Sequence, residues 1–271
     1  MINHEALRVK YNPEGSELRN MQYEMLKALL FLDKICKENN IPYFLTGGTL
    51  LGAIRHQGFI PWDDDLDIAL LKKDYKKLYK ILLQLSSDEY VFQSQETDFN
   101  YINVFPKFRA KKGNYLGSIP ARGELYKYRG VAIDIFCTEK ISYLTALLSH
   151  IYHYALLHYT YKIKNHKLRF IITKTAYNMY SLTVPFFYIF NIFRRKRECH
   201  NGLGQGFARQ YQDEQTIMPL KETLFEDHFF PIPGDPYKFL TNLYGPSWKN
   251  LPDESVIKRT IHNKALIKKD E

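Results

Sequence analysis

Four aspartates fall within five consecutive positions: Asp63, Asp64, Asp65 and Asp67, in the run Pro61-Trp-Asp-Asp-Asp-Leu-Asp-Ile-Ala-Leu70. Carboxylates this close raise one another's pKa or demand a counter-charge. The run continues into the apolar Ile68-Ala69-Leu70, so it is not a solvated acidic tail. A hard divalent cation reconciles the charge with burial, since such ions take oxygen ligands. Upstream lies Gly47-Gly48, between a β-prone stretch and a helical one. Glycines in that place let backbone N–H groups approach a phosphate. A metal beside a phosphate turn is the chemistry of phosphoryl or nucleotidyl transfer.

Such a site needs strands to aim the carboxylates. Asp65 to Leu71 alternates at period two and is expected to be a strand, with Asp65 and Asp67 on one face. Asp63 shares their parity if the extended geometry starts early, and Asp64 is expected on the opposite side. Gly130-Val-Ala-Ile-Asp-Ile-Phe136 reads as another strand, in which Asp134 shares a face with Ala132 and Phe136. Asp65, Asp67 and Asp134 are thus the expected catalytic carboxylates, and with Asp63 the expected metal ligands. One ion would activate an attacking oxygen and a second would hold the donor phosphates. Gly47, Gly48 and Thr49 are expected to face the phosphates, although Thr46 and Thr49 also suit helix capping. Arg55, Lys107, Arg109, Arg122 and Arg129 are candidate phosphate clamps, Lys107 standing out because it follows Pro106 on an apolar stretch. Trp62 is set either to stack on a base or quaternary ammonium or to pack in the core.

Around these residues, the apolar spacing from Leu18 to Cys36 predicts a helix, and Tyr43–Thr46 a short strand. Thr49–His56 and Lys72–Leu85 are predicted helices, and Tyr90–Phe92 and Tyr101–Arg109 strands. Gly202-Leu-Gly-Gln-Gly206 reads as a flexible link, and Tyr237–Tyr244 as a late helix. With 271 residues, 45% of them hydrophobic, the chain has an ample core. The fold class expected is α/β (α+β), a mixed sheet flanked by helices.

Three distant cysteines, Cys36, Cys137 and Cys199, argue against a disulfide framework and for a reducing compartment. Cys199-His200 is the sole adjacent pair of soft ligands. The polar N-terminus lacks a signal-peptide core, so a cytoplasmic location is expected. Net charge is +9, yet from Lys140 to Arg197 there are ten Lys and Arg and no Asp or Glu. The rest of the chain is close to neutral. This basic segment is rich in aromatic and aliphatic residues, as membrane-surface helices are. Phe170–Phe193 is long enough to raise a transmembrane reading, but Lys174, Asn178, Ser181 and Pro185 interrupt it. The expected partner is therefore an anionic membrane surface, met in the plane of the inner face, and not nucleic acid. The expected organisation is a catalytic core over 1–139, a basic aromatic helical segment over 140–198, and a part packing back on the core over 199–271.

The run GGTLLGAIRHQGFIPWDDDLDIAL resembles the signature of the LicD family, which groups bacterial phosphocholine transferases with fukutin and fukutin-related protein in the nucleotidyltransferase superfamily. The likeness extends to Lys107, to GVAIDIF around Asp134, to FEDHFFPIP at Phe225–Pro233, to LYGPSWKNLPDE at Leu243–Glu254, and to Lys258, Arg259 and His262. It implies a nucleotidyltransferase-like core in which Asp63, Asp65 and Asp67 match the D-x-D-x-D metal motif, Gly47-Gly48 the phosphate turn and Asp134 the third carboxylate. It further implies magnesium, with manganese as the alternative, and a CDP-alcohol such as CDP-choline as donor. The acceptor would be a cell-envelope glycan such as lipopolysaccharide, teichoic acid or capsule, in lipid-linked form, with CMP released. The chain departs from the family pattern at Cys137, where a proline often follows the strand. Rival readings are a DxD glycosyltransferase, for which the motif arrives too early in the chain, an enzyme that transfers the nucleotide itself, and a non-catalytic peripheral membrane protein.

Overall fold

A computed structural model of the chain describes residues 4–115, 117, 119–205 and 211–260. It is a mixed α/β fold built on a curled sheet. After α1 (His4–Tyr11), the long α2 (Glu17–Glu38) opens at Ser16, whose hydroxyl accepts from the Arg19 N–H at 3.2 Å. Its buried stripe includes Leu18, Met21, Met25, Leu29, Leu32 and Cys36, the spacing legible in the sequence. Strands β1 (Phe44–Leu45) and β2 (Asp67–Leu71) flank α3 (Gly47–His56), and α4 (Lys72–Leu83) follows. Then come β3 (Tyr90–Gln93), β4 (Lys107–Ala110), the single turn α5 (Pro120–Gly123) and β5 (Ala132–Glu139).

The sheet runs β1-β2-β5-β4-β3, with β2 and β5 parallel and the other pairs antiparallel. The parallel pair lies at the centre, where Ile68, Leu70, Ile133 and Ile135 are essentially inaccessible. That suits parallel strands, which need cover on both faces. Helices α6 (Tyr143–Leu157) and α7 (His166–Thr183) and a 3₁₀ run (Val184–Phe193) lead to β6 (Glu198–Asn201), which pairs with the far end of β5. Beyond β7 (Gln212–Asp213) and α8 (Glu214–Ile217), the hairpin β8–β9 (Lys221–Phe225, His228–Ile232) precedes α9 (Pro236–Tyr244), a 3₁₀ turn and α10 (Glu254–Thr260).

Several elements differ from the sequence reading. The strand expected over Tyr101–Arg109 begins only at Lys107, because 101–106 is irregular chain that ends on Pro106, which cannot donate to a ladder. The run Phe170–Phe193 is two pieces, since Pro185 forces the change to 3₁₀ geometry after Thr183. Strands β6 to β9 escaped the sequence reading. Gly202 to Gln205 is no free link: the Gly202 N–H donates to the Cys137 carbonyl at 2.8 Å, and Gln205 Oε1 accepts from the Cys137 N–H at 3.1 Å. Gly206 and the 261–271 tail, with His262, lie outside the described residues, as do the side chains of Lys258 and Arg259.

One buried ion pair ties the N-terminal helix to the hairpin. Arg19 Nη2 donates to Glu226 Oε2 at 2.8 Å, and both side chains are almost fully covered. Glu226, at the hairpin turn with φ of 52°, also accepts from the Phe59 N–H at 3.1 Å through Oε1. Its own N–H donates to the Gln57 carbonyl at 2.8 Å. It therefore clasps the loop that leads into the aspartates. Burial works against the Glu226 charge, but the bonds from Arg19 and Phe59 outweigh it and hold the carboxyl below its ordinary value of 4.5. A depressed folded value means the stabilisation is complete above that ordinary value and is lost as pH falls through the depressed one. Glu226→Ala leaves Arg19 buried without its partner and is expected to cost about 3–5 kcal/mol near neutral pH. Chemical denaturation should show that difference shrinking below pH 4.5.

Candidate metal and phosphate site

Three adjacent strands bring the expected chemistry into one row. In register, Asp67 on β2 faces Asp134 on β5, and Asp134 faces Lys107 on β4. Neighbouring strands stand about 4.8 Å apart, so the three side chains share one patch of the sheet. The Lys107 ammonium forms an ion pair with Asp134 Oδ1. Burial raises the Asp134 carboxyl above its ordinary value, while Lys107 works in the opposite sense and Asp65 adds to the rise.

The glycines sit directly against the acidic run. Helix α3 begins at Gly47 itself, two residues earlier than the sequence suggested, so Gly47, Gly48 and Thr49 form its first turn. The N–H groups of a first turn have no partner within their own helix. Gly47 has φ of +56°, and a Cβ built on it would stand 2.4 Å from Asp67 Oδ2. A Cβ on Gly48 would stand 2.7 Å from Asp63 Oδ2. Only the absence of side chains lets the helix start meet the carboxylates. Thr49 is buried and its hydroxyl accepts from the Asp67 N–H at 2.8 Å, which pins the start of β2 to α3. Thr46 makes no side-chain capping bond.

Strand β2 starts at Asp67, not Asp65, and 63–66 runs as irregular chain. Strand parity therefore does not govern these residues. Asp64, expected to face away, lines the same cleft as Asp65 and Asp67. Asp63 bonds to Asp65, and its carboxyl is pushed well above the usual range by burial first, then by Asp65, Asp64 and Asp67. Its backbone carbonyl accepts from Gln22 Nε2 at 2.9 Å.

The cleft in front of this row holds about 400 Å³. Asp64, Asp65, Asp67 and Asp134 line it together with Lys107, Arg109 and Arg122. Arg109 is largely committed, donating to Gln93 Oε1 at 2.5 Å and to the Gly130 carbonyl, and its burial lowers its pKa. The Tyr126 hydroxyl, on the cleft lining, is buried with no protein partner. A smaller pocket of about 90 Å³ opens on the Gly47 side of Asp67. Phe136, Phe239, Leu243 and Tyr244 wall it. The desolvated hydroxyl end of Tyr244, close to Asp67, Asp63 and Asp65, has its pKa raised.

Three candidates line neither opening. Trp62 is only 4% exposed, edge-on to Tyr11 and His56, and lines neither opening, so the core reading holds and the stacking reading does not. One of these edge contacts comes from Tyr11 on α1, a placement with no local signal in the sequence. Arg55 also lines neither opening, because its guanidinium donates to the carbonyls of Trp248 and Asn250, each at 3.1 Å. Arg129 lines neither opening. Cys199 is fully buried, and no group of three or more His, Cys, Asp or Glu stands in ready metal-binding geometry among the described residues. What favours a cation here is the donor set: oxygen ligands only, crowded enough to perturb one another, under a helix start stripped of side chains. Tyr244, Glu226 and Gln22 are the residues that sequence reasoning missed as parts of this site. For Tyr244 and Glu226 a signal existed, since each lies in a late segment that resembles the family.

Comparison with known proteins yields a family likeness. Residues 40–136 match the profile of the LicD/FKTN/FKRP nucleotidyltransferase domain. That segment is similar to a LicD-family domain. It is 39% identical over 79 residues to the lipopolysaccharide cholinephosphotransferase LicD of Haemophilus influenzae, covering 29% of this chain and 30% of that protein. It is also 31% identical over 114 residues to an uncharacterised protein of Rickettsia prowazekii, covering 35% of this chain and 41% of the other. An uncharacterised protein of Rickettsia typhi is 47% identical over 62 residues, covering 23% of this chain and 19% of the other. The matched stretches thus span less than half of each relative. The family segment holds all four aspartates of the acidic run together with Gly47, Gly48, Lys107 and Asp134.

Replacing Gly48 tests the cradle. In Gly48→Ala the methyl group meets the movable end of Asp63, so the carboxylate shifts while the backbone stays. We expect a melting temperature close to that of the parent and a loss of about 10- to 100-fold in Mg²⁺ affinity, read by calorimetric titration. Gly47→Ala should add a stability loss of about 1–2 kcal/mol, because its φ disfavours any Cβ.

Proposed function

We propose that this chain transfers phosphocholine, or a related phospho-alcohol, from a CDP-activated donor to a hydroxyl of a cell-envelope or lipid-linked glycan and releases CMP. The observation that carries this reading is the in-register row Asp67, Asp134 and Lys107, set beneath the Gly47–Gly48 helix start. The likeness to a lipopolysaccharide cholinephosphotransferase points to the donor and acceptor classes. Asp63, Asp65, Asp67 and Asp134 would hold Mg²⁺, or Mn²⁺ in its place, which when bound neutralises phosphate charge and polarises the reacting phosphoryl group.

The chain's own residues have distinct tasks. The first-turn N–H groups of α3 and the Lys107 ammonium would bind the diphosphate, and Arg122 would add charge from the far wall of the cleft. The acceptor oxygen attacks the phosphorus that bears the alcohol, and the bond from that phosphorus to the oxygen shared with CMP breaks. CMP departs with the bonding electron pair, and Asp134 takes the proton of the attacking hydroxyl. Thr49 acts by positioning, since it fixes the backbone at Asp67. The small aromatic pocket beside the carboxylates suits the cationic end of choline, which aromatic faces attract.

Incubating the protein with Mg²⁺ and CDP-choline, CDP-glycerol or CDP-ribitol, and following products by ³¹P NMR, tests the reaction. Free CMP with a phospho-alcohol on the acceptor is the expected result. A nucleotidylated acceptor would instead identify transfer of the nucleotide, and no Mg²⁺-dependent turnover of any donor would leave a non-catalytic protein. Asp67→Asn should lower kcat by about 10³-fold or more with an unchanged melting temperature. Tyr244→Ala should raise KM for CDP-choline by about 3- to 30-fold, and for uncharged CDP-glycerol by much less.

A further inference from the structure

Helix α7 is packed with its less apolar face inward. It buries Arg169, Thr173, Ala176 and Tyr180, which recur at helical spacing. Leu168, Ile171, Ile172, Met179 and Leu182 fall on a second stripe, within an arc of about 100° on a helix of 3.6 residues per turn. That stripe faces solvent, with exposures from 38% to 76%. The 3₁₀ run continues it. At three residues per turn, Phe186, Ile189 and Ile192 eclipse one another and form a single outward ridge. Their exposures are 75%, 68% and 78%. Among the described residues, thirteen of the nineteen exposed large hydrophobics lie between Ile151 and Phe193. A patch of this kind marks an interaction surface.

The ridge is held from behind. Tyr188 donates to Glu139, which also receives the Lys72 ammonium. Asn191 Oδ1 accepts from the Ser142 N–H at 3.0 Å and from the Thr145 hydroxyl at 2.8 Å. Glu139 ends the strand that carries Asp134, so the ridge is fixed relative to the acidic row.

Charge selects the occupant. From Lys140 to Arg197 the chain has ten basic residues and no acidic one, and Arg194-Arg-Lys-Arg197 adjoins the end of the ridge. A second copy of this face would oppose like charge to like. A spanning helix is absent among the described residues, since none is long and apolar enough to cross a bilayer. We infer that the α7 stripe and the Phe186–Ile189–Ile192 ridge seat the protein in the plane of an anionic lipid bilayer, with the apolar ridge in the interface and Arg194–Arg197 among the headgroups. This surface stands independently of the transferase reading.

Flotation of the purified full chain with vesicles tests it. We expect binding to phosphatidylglycerol–phosphatidylcholine vesicles, with weakening at high salt and little binding to phosphatidylcholine alone. The double variant Phe186→Ser/Ile189→Ser, altered only at exposed positions, should keep its melting temperature and bind at least about tenfold more weakly. Arg195→Glu/Lys196→Glu should remove the preference for anionic lipid. Three results would overturn the inference: no binding of the parent protein at low salt, undiminished binding of the double variant, or a dimer that the double variant dissolves while vesicle binding is absent.

Discussion

Everything at the proposed site follows from forcing like charges together. Four carboxylates in five positions repel one another, and the fold nevertheless gathers them with Asp134 under the start of α3. It does so by removing side chains where the helix meets them and by anchoring the backbone on both sides. Thr49 fixes the chain at Asp67, and Gln22 holds the carbonyl of Asp63. Burial and its acidic neighbours push the Asp63 carboxyl up, and Lys107 pairs with Asp134. On the proposed reading, a bound cation and diphosphate would offset this crowding of charge. Buried charge contributes little net stability, so stability alone does not explain the arrangement.

The anchors come from distant parts of the chain. Gln22 lies on α2, and Glu226 lies on the β8–β9 hairpin, where it joins Arg19 to the loop before the aspartates. Arg55 extends the same logic by bridging α3 to the carbonyls of Trp248 and Asn250. The C-terminal segments are therefore braces of the site, and through Tyr244 they also reach the wall of the pocket next to Asp67.

The basic aromatic segment sits at the opposite end of β5 from Asp134. Asp134 is two residues into that strand and Glu139 closes it. The sheet thus links a polar, crowded cleft to a surface that is apolar and cationic. For an enzyme whose acceptor is lipid-linked, such a surface would hold the cleft near the bilayer, where the acceptor is concentrated.

The sequence by itself determined the acidic run, the glycine pair, the Asp134 strand and the α2 stripe. Each is a local signal, set by charge density or by a period of 2 or 3.6 residues. It also located the basic segment, since composition needs no fold. Only the tertiary structure decided that Asp64 joins the cleft, because residues 63–66 are not yet strand and alternation does not apply to them. It alone placed Trp62 in the core and turned Arg55 toward the C-terminal chain, since both outcomes depend on which elements pack against α3. The register of Asp67, Asp134 and Lys107 was likewise fixed there. Strand neighbours are chosen by non-local pairing, and a period-two pattern states which face a residue occupies but not what stands beside it.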